Sequence, residues 1–405
     1  MTKAFDTAPL LAMRASAADE GAIIRMSQRT RELRAKGHDV VALTLGEPDF
    51  DTPAHIRAAA TQAMNAGFTH YAPVAGIPEL REAISHKLKT ENQLDYPVTA
   101  IVVANGVKQA INNAILSLVG PGDEVIMLAP FWVSYEASVK LAGGTPVILP
   151  SSILENYKVP AARIAAALTS RTKLLILNSP NNPTGAVWSR QELLAIADIV
   201  RSQPTMLVLA DEIYEYILFE GNLTSFGTLP DMLERTITLN GFSKGFAMTG
   251  WRLGYAAGPA PVAQAMARMQ SIISAGANAF VQHAAVAALK GPRDDVRAMT
   301  ETYRQRRDLV VAALRSMPGV SIGSIPGTFY AFPDVSAFIG RKAGNHLINT
   351  VDELCDYLLE SHGVATVPGS AFGCHNAIRL SFATHEKDLL KALERIASGL
   401  SQIAR

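Results

Sequence analysis

Four short apolar runs in this chain are each followed at once by residues able to do chemistry. Ala100–Ala104 runs into Asn105-Gly-Val-Lys-Gln109, and Lys173–Asn178 into Ser179-Pro-Asn-Asn-Pro-Thr-Gly185. Met206–Ala210 leads to Asp211-Glu-Ile-Tyr214, and Thr236–Asn240 to Gly241-Phe-Ser-Lys244, with Met248-Thr-Gly-Trp-Arg252 shortly after. In an open α/β sheet, ligands bind beyond the carboxyl ends of the strands. One sheet edge then receives an amide, a carboxylate with a phenol, a lysine with an arginine, and a small-residue helix start. Lys244, beside Ser243 in a Gly/Ser turn, presents an amine able to form a Schiff base. Asp211, leaving a buried strand, needs a cationic partner, and a protonated pyridine nitrogen supplies one. Tyr214 and Asn182 are placed to donate to a ring hydroxyl. Gly106, Val107 and Lys108 offer backbone N–H groups to a phosphate at a helix N-terminus, and Arg252 adds a bidentate contact. The set suits pyridoxal phosphate.

The elements that must position these groups are legible in the same runs. Continuous Val/Ile/Leu-rich strands imply burial on both faces, hence a mostly parallel sheet covered by helices. Seven candidate strands lie between about 100 and 257: 100–104, 124–128, 146–149, 173–178, 206–210, 236–240 and 253–257. The flanks read differently. Residues 23–36 form an amphipathic helix, and 299–316 a long helix with Arg304, Arg306 and Arg307 on its wet side. Short strands at 321–324, 328–332 and 377–382 alternate with a helix near 351–361. The expected class is α/β: a large domain at 46–298 with a mostly parallel seven-stranded sheet. A smaller α+β domain is built from both chain ends, 1–45 and 299–405.

Composition narrows the function classes. The 405 residues carry 37 Lys+Arg against 36 Asp+Glu, which argues against a nucleic-acid partner. Two cysteines, Cys355 and Cys374, exclude a disulfide framework and a four-Cys metal site. The nine histidines show no His-Glu-x-x-His spacing, and no Gly-x-Gly-x-x-Gly or Walker loop is present. No leader and no membrane span are expected, which makes a soluble cytoplasmic protein the default.

The chain resembles the class I/II aminotransferases of the aspartate aminotransferase superfamily, fold type I. The carriers span almost the whole length: Leu45-Gly-Glu-Pro-Asp-Phe50, Tyr71-Ala-Pro-Val-Ala-Gly76, Ser179–Gly185, Asp211–Tyr214, Ser243-Lys244 and Met248-Thr-Gly-Trp-Arg-Leu-Gly254. Gly106-Val-Lys-Gln109 and Pro130-Phe-Trp-Val-Ser-Tyr135 make it most similar to the prokaryotic aspartate/prephenate branch. The resemblance implies that Lys244 carries the cofactor and shuttles a proton. It implies that Asp211 pairs with the ring nitrogen, while Tyr214 and Asn182 bond the ring hydroxyl and Trp132 stacks on the ring. Arg379, in Ile378-Arg-Leu-Ser381, is implied to bind the substrate α-carboxylate with help from Asn182, Trp132 and the backbone at Gly46. Tyr71 is implied to reach the phosphate of a neighbouring subunit, which makes the active unit a homodimer with shared sites. The implied reaction moves an amino group from an L-amino acid to a 2-oxo acid by a ping-pong mechanism.

Lys108 is associated in that branch with the distal carboxylate of aspartate and glutamate, which makes these the first-choice donors. Two departures point toward aromatic amino acids or prephenate. Gly21-Ala-Ile-Ile24 is apolar where the branch carries hydroxyls, and Ile272-Ile-Ser-Ala-Gly-Ala-Asn-Ala-Phe280 replaces a Ser/Thr-rich stretch. Two further readings stand beside these: β-elimination on the same cofactor, and a non-catalytic ligand-binding domain.

Overall fold

The computed structural model of the protein describes residues 12, 15, 21–344 and 346–404. All seven expected strands form, and they join one sheet: β1 Ile101–Ala104, β2 Glu124–Leu128, β3 Thr145–Leu149, β4 Thr172–Asn178, β5 Leu207–Asp211, β6 Thr236–Gly241 and β7 Gly254–Ala257. Their spatial order is β1-β7-β6-β5-β4-β2-β3. The pairs β2–β3, β2–β4, β4–β5 and β5–β6 are parallel, whereas β7 runs antiparallel to both β1 and β6. β1, β6 and β7 are buried throughout, while the edge strand β3 is largely open. That contrast is the signature of a sheet covered by helices on both faces.

Two of the covering helices show why the chain turns where it does. Arg190–Ser202 starts at a capping box, with the Ser189 hydroxyl accepting from the Glu192 N–H and the Glu192 carboxylate reaching back. It buries Leu193, Ile196, Ala197 and Val200. Val107–Leu118 begins at Gly106, whose φ of 79° suits glycine, and buries Val107, Ala110, Ile111, Ala114 and Ile115. β7 passes this helix start so closely that a Cβ on Gly254 would lie 2.6 Å from the Val107 nitrogen. The helix N-terminus is therefore packed directly on the sheet edge.

The flanks of the chain meet. Val41–Ala42 pairs in parallel with Val364–Ala365. A three-stranded antiparallel sheet orders Val367–Pro368, Ile378–Ser381 and Tyr330–Ala331. Helices Ala22–Ala35, Val351–His362 and Glu386–Ser401 accompany these strands. Only Tyr330–Ala331 of the expected 328–332 strand pairs, and 321–324 contributes a single bridge, Ser321 to Asp334. The long helix spans Asp294–Arg315 and corrects one expectation. Arg304 faces water, but Arg306 and Arg307 are buried. Arg306 forks onto Asp49 with two 2.8 Å bonds, and Arg307 pairs with Glu220. Buried guanidiniums are tolerated because acids from distant segments meet them.

Among the described residues no helix is long and apolar enough to cross a membrane. No group of three or more His, Cys, Asp or Glu side chains among them could hold a metal ion.

Candidate active site

The carboxyl edge of the sheet gathers the chemistry. Asp211 ends β5 opposite Asn178 at the end of β4, and Gly241 at the end of β6 faces Gly254 at the start of β7. Lys244 follows β6 in a tight turn, and its amine donates to the Gly46 carbonyl at 2.5 Å. The same amine lies 5.9 Å from the ring centroids of Tyr214 and Phe329. Burial, and next the positive charge of Arg379, lowers the Lys244 ammonium to about 8. A useful fraction of this lysine is thus neutral near physiological pH, which a nucleophile or a base requires.

Asp211 is buried, and no cation among the described residues bonds to it. Its Oδ2 accepts from the Tyr135 hydroxyl at 2.7 Å and its Oδ1 from the Ile213 N–H at 3.2 Å. Burial pushes its carboxyl up to about 6. Its backbone carbonyl accepts from the Asn178 side chain at 2.9 Å, and Asn178 Oδ1 accepts from the Asn182 N–H at 2.7 Å. Asn178 therefore fixes the Asp211 strand end relative to the Asn182 turn. Tyr214 is buried, with its hydroxyl 2.9 Å from that of Tyr330.

Arg379 is among the largest fully buried side chains of the described residues, 1% exposed. Its guanidinium donates to Asn182 Oδ1 at 3.1 Å and to the Thr44 carbonyl at 2.6 Å, and lies 4.5 Å over the Tyr330 ring and 4.9 Å over Phe372. Neither hydrogen-bond partner is a carboxylate, and the buried Nε has no partner. A buried cation with an idle donor, flanked by a donor-rich cleft, is suited to an arriving carboxylate.

The residues expected to hold a phosphate lie at the start of helix Val107–Leu118. A Cβ on Gly106 would stand 2.7 Å from Arg252 Nη2, so only glycine lets the guanidinium approach the helix N-terminus. Arg252 has φ 55°, and its Nη1 bonds the Thr249 carbonyl at 2.9 Å. Ser243 is buried beside Lys244. Lys108 Nζ lies 5.1 Å over the Trp132 ring, and Trp132 meets Tyr135 edge-on. Desolvation, and then the charge of Arg252, lowers the Lys108 ammonium. The structure brings together Lys244, Asp211, Tyr214, Asn182, Arg379 and Gly46, and places Gly106, Val107, Lys108, Arg252 and Trp132 along the same edge. Tyr71 stands apart at 95% exposure.

A family model described as aminotransferase class I and II matches residues 38–396. The chain belongs to this aminotransferase family. A curated relative from Petunia hybrida, named a bifunctional aspartate aminotransferase and glutamate/aspartate-prephenate aminotransferase, is 46% identical, with 94% of this chain and 80% of that protein aligned. The aspartate aminotransferase of Rhizobium meliloti superposes with a TM-score of 0.94 at 38% identity, covering 97% and 99% of the two chains. The Thermus thermophilus aspartate aminotransferase solved with maleate gives 0.91 at 41% identity, covering 96% and 99%. The resemblance read from the motifs and the mostly parallel seven-stranded α/β architecture are both borne out.

Sequence reasoning missed four parts of this aminotransferase's cleft: Tyr135, Asn178, Tyr330 and the Thr44 carbonyl. Tyr135 lay within a quoted motif and is the one that carried a signal. The other three become visible only when segments far apart in sequence meet.

Proposed function

We propose that this aminotransferase holds pyridoxal phosphate on Lys244 and transfers the amino group of aspartate or glutamate to a 2-oxo acid. The observation that carries the reading is the buried pairing of opposites in one cleft. A lysine lowered to about 8 shares it with an acid free of cations and an arginine free of carboxylates. Each lacks the partner that cofactor and substrate bring, so the residues fit the group. Pyridoxal phosphate, when bound, supplies an aldehyde that links to amines and a ring that draws electrons from the substrate Cα.

The chain's own residues do the rest. Gly106, Val107, Lys108, Ser243 and Arg252 hold the phosphate end. Asp211 keeps a proton on the ring nitrogen, and Tyr214 and Asn182 donate to the ring hydroxyl. Trp132 covers one ring face. Arg379 grips the α-carboxylate through its fork and thereby orients the Cα–H toward Lys244. Lys244 Nζ, neutral after giving up its proton, removes the Cα proton and later returns one. The Gly46 carbonyl accepts from this amine whenever it is free of the cofactor. The two half-reactions alternate, so the kinetics are ping-pong.

Lys108 at the cleft mouth, 5.1 Å over Trp132, supports a dicarboxylic donor, as does the maleate of the Thermus thermophilus relative. One observation favours a broader donor range. Ile23, Val133 and Tyr157 pack against a buried cluster that includes Phe332 and Phe372, the latter 4.9 Å from the Arg379 guanidinium. An apolar wall next to the carboxylate grip suits aromatic amino acids or prephenate, a substrate named for the Petunia relative. We further assign residues 1–45 and 299–405 to a small domain and 46–298 to a large one, with residues 1–11, 13–14, 16–20, 345 and 405 outside the described residues. The near-complete exposure of Tyr71 supports a homodimer in which it reaches the neighbouring subunit's phosphate.

The test is steady-state kinetics of the cofactor-loaded enzyme with aspartate and 2-oxoglutarate. Parallel double-reciprocal lines are expected, and Lys244→Ala is expected to lose activity by at least about 10⁴-fold. Pyruvate and ammonia released from one amino acid without an acceptor would instead identify an eliminating enzyme. An equally active Lys244→Ala would overturn the assignment.

A further inference from the structure

Asp211 uses only part of its hydrogen-bonding capacity on the protein. An ionised carboxylate offers about four lone-pair positions, and two are taken, by the Tyr135 O–H at 2.7 Å and the Ile213 N–H at 3.2 Å. The groups facing it are Tyr135 from helix Ser134–Leu141, Tyr214 from the turn after β5 and Lys244 from the turn after β6. Lys244 acts on it through charge without a bond, so among the described residues Tyr135 is the one side chain that donates to the carboxylate.

Tyr135 is buried and braced edge-on by Trp132, with ring centroids 5.5 Å apart. Burial and the adjacent Asp211 charge keep its phenol protonated far above the working range. Its hydrogen is therefore always available to Asp211. A donor to the charged form favours that form, whereas burial alone would neutralise the acid.

We propose that Tyr135 is a positioning residue that holds Asp211 ionised, with its free edge turned to the cofactor's ring nitrogen. This rests on the reading of the cleft as a pyridoxal phosphate site. Without the Tyr135 donor, Asp211 competes for the proton that the ring nitrogen must keep. The ring is then a poorer electron acceptor and is held less tightly. Nothing in the helix pattern announces this role, because the partners lie 76 residues apart.

The experiment compares wild type with Tyr135→Phe, which removes one oxygen and keeps the ring against Trp132. The ¹³C-carboxyl signal of Asp211, assigned by its disappearance in Asp211→Asn, is titrated in the apoprotein. Its midpoint is expected to rise by about one pH unit in Tyr135→Phe. The pyridoxal phosphate dissociation constant, read by fluorescence quenching at neutral pH, is expected to rise by about tenfold. A midpoint unchanged by the substitution overturns the proposal. So does a shifted midpoint with an unchanged dissociation constant, because the bond then does nothing for the ring. Should Tyr135→Phe fail to fold, the wild-type Tyr135 ¹³Cζ signal is expected to move with the Asp211 titration, and a flat signal overturns the proposal. Wild type that binds no pyridoxal phosphate refutes the functional reading instead, while the carboxyl titration still reports on the Tyr135–Asp211 bond.

Discussion

Replacing Arg379 by lysine separates charge from geometry at the substrate grip. The arginine sits between the Tyr330 and Phe372 rings, with Nη1 on Asn182, Nη2 on the Thr44 carbonyl and Nε idle. Its fork presents two parallel donors to a carboxylate, whereas an ammonium presents a point charge on a flexible stem. A charge-assisted hydrogen bond contributes about 1.5–3 kcal/mol. Losing one of the pair and loosening the other removes about 2–4 kcal/mol of transition-state binding, or about 30- to 1,000-fold in kcat/KM. The assay is the single-turnover half-reaction with aspartate, followed by the absorbance change of the cofactor at increasing substrate. The cofactor dissociation constant serves as control and is expected to stay within about twofold, since Arg379 is assigned to substrate alone. A loss in kcat/KM below about fivefold refutes the assignment of Arg379 to the α-carboxylate.

Glu212 is buried beside the Ser225 hydroxyl, and burial pushes its carboxyl up to about 7. The folded apoprotein therefore holds a proton there that the unfolded chain releases above about 4.5, so this group's stabilisation is full at low pH and declines as pH rises to about 7. Glu212→Gln cannot titrate, so its melting temperature relative to wild type is expected to climb across that window, by up to about 3 kcal/mol of relative stability; parallel curves would contradict this. Lys108→Gln is expected to lower kcat/KM for aspartate by about tenfold or more and that for phenylalanine by less than about threefold, and equal losses would return Lys108 to the phosphate cradle. A Cβ on Gly46 would stand 2.0 Å from the Tyr330 hydroxyl oxygen. Gly46→Ala must therefore displace the carbonyl that holds Lys244, with cofactor affinity falling by about tenfold and Tyr330→Phe restoring part of it in the double variant; an unaltered dissociation constant in Gly46→Ala rules this out.

The large sheet was legible because its strands are buried on both faces and so read as unbroken apolar runs. Lys244, Asp211 and Asn182 were legible because they follow such strands at once. Arg379 was legible only through the family resemblance, since a short strand with one arginine otherwise reads as a surface ion pair. What buries and fixes its guanidinium are Asn182 and Thr44, 197 and 335 residues away. Arg306 and Arg307 were misplaced for a related reason. Helical periodicity assigns charges to the wet face unless the acids that bury them are known, and Asp49 and Glu220 lie 257 and 87 residues distant. Tyr135 carries the same lesson, because a phenol on a helix looks like core until its oxygen is found on Asp211.

The attachment of the cofactor to Lys244 can be read chemically. Borohydride reduction of the pyridoxal phosphate-loaded protein, followed by proteolysis and mass spectrometry, tests it directly. One modified peptide is expected, with the phosphopyridoxyl mass on Lys244. A mass addition on Lys108 or another lysine, or none at all after reconstitution, would contradict it.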